Sequence, residues 1–98
     1  MTKTTLETQR EALHQSLEKC GVPEHLHCSI IDYVMDGCKL GGFLEAVITN
    51  NLMGAFRRAD AHSLAGLKNL VGWLYNDAPA GCHGSMTKYN DWLILKLK

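Results

Sequence analysis

Apolar residues recur along this chain every three or four positions, the spacing of helices, and the breaks between such runs fall at glycine, proline and asparagine. Over residues 5–20, Leu6, Leu13, Leu17 and Cys20 lie on one narrow stripe that Arg10 interrupts, while Glu7, Glu11 and Glu18 lie off it. That is the pattern of a surface helix with a thin apolar face. Gly21 suits its end, because glycine enters the left-handed conformation without a Cβ clash. Pro23 suits the first position of a second helix, where its missing N–H is no loss. Over residues 25–36 that helix carries Leu26, Ile30, Tyr33 and Val34 on one face, with Ile31 and Met35 widening it, and Gly37 stops it.

Beyond Gly41-Gly42, Phe43, Ala46, Val47 and Asn50 share a face, but Leu52, Met53 and Phe56 fall on the opposite side of a straight helix. One rigid helix cannot bury both sets in one core. A break is therefore predicted at Asn50-Asn51, with Asn51 capping a short helix that runs to Arg58; a continuous helix buried on two sides is the alternative. Asp60 caps a long helix predicted over residues 61–77, where Leu64, Leu67, Leu70, Val71 and Leu74 form a wide arc with Trp73 and Tyr75 at its margins. This is the expected central helix. Gly66 and Gly72 within it each cost about 1 kcal/mol in propensity against alanine and suit the close approach of a neighbouring helix.

A polar turn over residues 77–85 follows, and Ser85 caps a last helix from Met86 to Leu97. Tyr89, Trp92, Leu93 and Leu97 make its core face, while Ile94 and Leu95 point elsewhere. Leu93, Leu95 and Leu97 also alternate as in a strand, but the chain offers no second strand to pair with it. The expected fold is all-α: a single domain over residues 1–98, a compact bundle of five or six short helices, with residues 1–4 a disordered tail.

Composition narrows the function classes. Of 98 residues, 46% are apolar and 20% charged, an ordinary globular balance that argues against disorder. Ten basic residues offset ten acidic ones, so the basic excess of a duplex-DNA binder is missing. No apolar run approaches the roughly 20 residues of a membrane span, and the first residues lack the apolar core of a secretory signal. The expectation is a cytoplasmic protein. Cys20, Cys28, Cys38 and Cys82 are then reduced thiols rather than a disulfide framework.

The run Gly42-Phe43-Leu44-Glu45-Ala46-Val47-Ile48-Thr49-Asn50-Asn51-Leu52, then Ala55-Phe56-Arg57-Arg58-Ala59-Asp60, resembles a family of small phage and prophage proteins. So does Leu74-Tyr75-Asn76-Asp77-Ala78-Pro79, followed by Gly81-Cys82-His83-Gly84-Ser85 and Trp92. The resemblance covers residues 25 to 93 and leaves the first helix outside it. It implies a short phage accessory gene expressed in a bacterial host, and it assigns no catalytic residue. Phage accessory proteins as a class act on host processes, some by blocking host enzymes and some by sequestering nucleotide signals of bacterial immunity.

The residues themselves offer several constellations. His25, His27 and Cys28 cluster on the second helix, Cys38 follows Gly37, and Cys82-His83 sit in the late turn. Tetrahedral zinc needs four converging ligands, and neither a C-x-x-C nor an H-x-x-x-H pair occurs, so no metal is expected. Cys82 beside a helix start could have a lowered thiol pKa. Adjacent Cys82 and His83 nevertheless seldom bring sulfur and imidazole into contact, and no third group orients them, so no enzyme is expected. Buried cysteines and exposed histidines are the plain reading of the whole set.

Anion binding is the more specific prospect. Gly84-Ser85 opens a helix, where free N–H groups and the dipole attract phosphate or carboxylate. Arg57 and Arg58 supply planar charged donors. Asn50, Asn51 and Asn76, with His83, offer polar edges, and Trp73 or Tyr75 offers a stacking face. The plain alternative is that Ser85 and Asn51 only cap helices and the arginines only solvate a surface. The function expected on this reading is a non-enzymatic phage accessory protein that sequesters a small anionic, nucleotide-type ligand without a cofactor. The alternative is a helical adaptor or inhibitor that binds a host protein through an apolar face. Ile94, Leu95, Ile31 and Met35 look surplus to one core and point to a homo-oligomer, of which a symmetric dimer is the commonest form.

Overall fold

The computed structural model describes residues 5–79 and 81–96, with the side chain of Leu6 excepted. The expected tail over residues 1–4, the place of Leu6 on its stripe and the core role of Leu97 lie outside the described residues. The elements run α1 Thr5–Lys19, a 3-10 turn Glu24–Leu26, α2 His27–Asp36, α3 Gly42–Ile48, α4 Leu52–Arg58, α5 Ala61–Ala65, α6 Leu67–Asn76 and α7 Met86–Lys96. Among the described residues there is no strand, and Leu93 and Leu95 belong to α7. A radius of gyration of 13.1 Å is that of a compact chain of this length, about 13 Å.

The helix count exceeds the expected five or six, and each extra element has a cause. Pro23 does not open α2. It precedes the 3-10 turn, whose Leu26 N–H reaches back to the Pro23 carbonyl. The long helix expected over residues 61–77 is two helices that meet at Gly66. A methyl group on Gly66 would overlap the Pro23 ring, so the backbone of this corner packs directly on proline. Gly72 has open space where its Cβ would be and serves no such approach.

The break at Asn50-Asn51 is present. Asn50 takes a left-handed conformation, φ 64°, and the Asn51 side chain accepts from the Gly54 N–H at 3.0 Å. Its consequence is the reverse of the expected one. The bend turns Gly54 and Ala55 inward and leaves Leu52, Met53 and Phe56 at 70%, 77% and 65% exposure. Ala55 faces Ala46 and Val47 of α3, Gly54 is covered by the Asn51 and Arg58 side chains, and the large residues of α4 stay outside.

The core is built on Leu17 of α1, Leu26, Ile30, Tyr33 and Val34 of the second segment, Leu44 and Ile48 of α3, Leu70, Trp73 and Leu74 of α6, and Cys82 and Tyr89. Each aliphatic side chain fully buried there contributes about 1.5–3 kcal/mol. Ile31, expected to be surplus, is buried beneath α1, and Met35 is half-buried. Ile94 and Leu95 do point outward.

Polar ties fix the layers. Arg10 on α1 bridges Asp32 and Asp36 on α2. The Trp92 indole N–H donates to the Tyr33 carbonyl at 3.1 Å, and the Leu40 N–H donates to the Tyr89 hydroxyl at 3.1 Å. Gly37 ends α2 at φ 70° where a side chain would strike Lys96 Cβ, so the left-handed turn and the seat of α7 need the same glycine.

Candidate functional site

Among the described residues, 77–79 and 81–85 form an irregular turn that is well anchored. The Tyr33 hydroxyl donates to the Cys82 carbonyl at 2.6 Å, the Gly84 N–H donates to the Ile48 carbonyl at 2.7 Å, and the Cys20 thiol donates to Asp77 Oδ2 at 2.9 Å. Residues of α2 and α3 and the turn just after α1 thus hold this segment in place. Ser85 caps α7 as expected, its Oγ accepting from the Lys88 N–H at 3.1 Å.

Docking the turn on the end of α3 leaves a depression of about 280 Å³. Asn50, Tyr75, His83 and Gly84 line it with Val47, Val71 and Leu74. Tyr75 stands 86% exposed at its edge. A second depression shares Val47, Asn50 and Val71 with the first and runs past Asn51 to Leu52, Ala55 and Leu67, so the concave surface continues around the α3–α4 elbow. A third, of about 210 Å³, is lined by Gly42, Glu45, Thr49, Asn51, Arg58 and Met86.

Four of the expected ligand residues, Asn50, Tyr75, His83 and Gly84, therefore share one hollow, and the others do not. Trp73 is fully buried and its indole N–H donates to Ser16 Oγ at 2.9 Å, so it presents no stacking face. The arc of α6 turns further inward than its leucines suggest, which carries Trp73 from margin to centre and leaves Val71 half-exposed. Asn76 donates to the Gly72 carbonyl of its own helix at 3.0 Å. Asn51 caps α4 and lines the two other hollows. Ser85 is spent on its cap. Arg58 lies along Gly42 and Gly54 in the third hollow, with the Glu45 carboxylate on the same rim, and exposed Arg57 lines none of the three.

One residue enters that the sequence did not single out. The Lys88 side chain folds back over Gly84, with Nζ 3.7 Å from where a Gly84 Cβ would stand. It places a cation at the rim that the arginines do not reach. The signal was available in Lys88 standing three residues after the capping Ser85, on the first turn of α7.

Cys82 is fully buried and its thiol is pushed up to about 11 by loss of water around it. The expected lowering by the helix start is overturned, because burial outweighs a helix that begins beyond the residue. All four cysteines are free, and Cys28 and Cys38 are exposed. Among the described residues no group of three or more His, Cys, Asp or Glu side chains converges as a metal site, and no helix is long and apolar enough to cross a membrane. Compared with known protein families, with functionally described proteins and with solved structures, the chain matches none.

Proposed function

We propose that this protein works by binding rather than by chemistry, holding a small planar ligand with one anionic group in the hollow between Asn50, Tyr75, His83 and Gly84. The observation that carries the reading is the exposed Tyr75 ring beside an apolar floor of Val47, Val71 and Leu74 with polar groups at one end. Ligand sites are built in this way, apolar surface for contact and a few polar groups for orientation. A ring stacked on Tyr75 would direct a phosphate or carboxylate toward His83, Lys88 and the first-turn N–H groups of α7. One lysine suits one anionic group better than a polyphosphate. The hollow is near the lower end of the ~300–1,000 Å³ of ligand pockets, which suits a mononucleotide. Sequestration, one of the roles that phage accessory proteins play as a class, needs nothing more.

Thermal melts with nucleobases, nucleosides and nucleoside monophosphates test it. A binder raises Tm in proportion to the logarithm of its concentration. Tyr75→Ala should abolish the rise and leave the ligand-free Tm unchanged, since the ring is exposed. Arg57→Glu should leave the rise intact. Absence of any shift at about 1 mM across the panel would overturn the proposal.

A second reading has its own observation. Leu52, Met53 and Phe56 form an exposed apolar face that ends at Arg57 and Arg58. Such a face suits an amphipathic partner segment with apolar residues and a flanking carboxylate. Phe56→Asp should then abolish a stoichiometric complex with a host protein while the ligand-induced Tm rise persists.

A further inference from the structure

Besides the Arg10 clasp, α1 and α2 share a second polar contact that the proposed binding site does not use, the pair His14 and His27. Their Nδ1 atoms are 3.0 Å apart, and the rings meet edge to face at 4.7 Å between centroids. His27 is buried, and its Nε2 lies 2.7 Å from the Val22 carbonyl oxygen. A carbonyl only accepts, so His27 Nε2 carries a hydrogen. With the ring neutral, His27 Nδ1 is then bare and must receive the hydrogen on His14 Nδ1. Two nitrogens at this distance share one hydrogen and have no room for two.

From this geometry we infer that the His14–His27 contact is a proton-sensitive latch between α1 and α2. The neutral pair holds one hydrogen between the Nδ1 atoms. A first added proton is accommodated on His14 Nε2, on a half-exposed ring, and the hydrogen bond survives. A second puts hydrogen on both Nδ1 atoms and sets two cations against each other, one of them buried, so the contact breaks. The charged and titratable groups that accompany the pair are Glu7, Arg10, Glu11, Glu18 and Lys19 on α1, Glu24 and His25 on the 3-10 turn, and Cys28, Asp32, Tyr33 and Asp36 on α2. Of the helices that pack on α1 and α2, α6 carries Lys68 and Tyr75, and α7 carries Lys88, Tyr89, Asp91 and Lys96. Arg10 is engaged by Asp32 and Asp36, and it holds the other end of the helix pair through the pH range in which carboxylates stay ionised. The middle of α1 therefore loosens while its Arg10 clasp persists, and what it uncovers is Ile31 of α2, buried beneath α1.

The unfolded chain takes up both protons freely and the latched fold does not, so the α1 contact weakens as protons are added. Amide hydrogen exchange between about pH 8 and about pH 5, corrected for intrinsic rates, should show α1 losing protection by up to roughly tenfold per pH unit while α7 keeps its own. In His14→Gln the amide can donate to a bare His27 Nδ1 or accept from a protonated one, so the pH step in α1 should vanish. Nitrogen-15 spectra of the wild-type imidazoles should show the Nε2–H form of His27 and the Nδ1–H form of His14 at about pH 8. Equal loss of protection in wild type and His14→Gln, no loss in wild type, or the Nδ1–H form of His27 at that pH would overturn the inference.

Discussion

The Tyr33 hydroxyl reaches from the middle of α2 to the carbonyl of Cys82 at 2.6 Å, joining a fully buried ring of the core to the turn before α7. Burial shifts the Tyr33 hydroxyl pKa upward, so the group stays a donor at every ordinary pH. Tyr33→Phe keeps the ring and removes the donor. We expect a loss of about 1–3 kcal/mol, read from urea unfolding, because the buried Cys82 carbonyl loses this partner. The same variant should weaken any ligand held at His83 and Gly84, since the turn that carries them is released.

Trp73 gives a test of the opposite kind. Trp73→Phe removes the indole N–H that donates to Ser16 and leaves a gap beneath α1. Stability should fall by about 1–3 kcal/mol, measured by denaturant midpoint. Ligand-induced shifts in Tm should be unchanged, because the ring faces the core.

At the elbow, adjacent asparagines do different work. Asn51→Ala should cost about 1 kcal/mol through loss of the cap on α4. Asn50→Gly should be neutral or stabilising by up to about 1 kcal/mol, since φ 64° suits glycine. Asn50→Val, at the same φ, should destabilise by about 1–2 kcal/mol. Chemical denaturation of the three variants separates cap from conformation.

Alkaline pH provides a fourth prediction. The Cys82 thiol ionises at about 11 in the fold against an ordinary 9.0, so the unfolded chain releases its proton first. The stabilisation is complete below the ordinary value and is lost as pH rises through the window up to about 11, at roughly 1.4 kcal/mol per pH unit. Tyr33 acts in the same direction at higher pH. Cys82→Ala should flatten the slope across that window. In the native protein a thiol reagent should modify exposed Cys28 and Cys38 at once and Cys82 only on unfolding.

Much of the fold was legible because local signals here are strong. Gly37, Asp60, Asn51 and Ser85 punctuate the chain where the structure turns or caps, since each acts through its own backbone within a few residues. The corner at Gly66 was not legible, because its cause is Pro23, far away in sequence. The same limit governed the candidate site. Spacing could say that Asn50, Tyr75 and Gly84 carry suitable groups. That Gly84 seats on the Ile48 carbonyl, and so brings the three together, is a tertiary fact. Trp73 was misplaced for a related reason: an apolar arc with ambiguous margins is centred by what packs on it, and here α1 supplies Ser16 and Leu17.

The inward face of α4 toward α3 is Ala55, and Gly54 is covered by side chains of its own segment, so little is asked of the large residues around them. Leu52, Met53, Phe56 and Arg57 can therefore change with little effect on how the chain folds. Substitution can thus rewrite the outward surface of this short helix and leave the scaffold beneath it as it was.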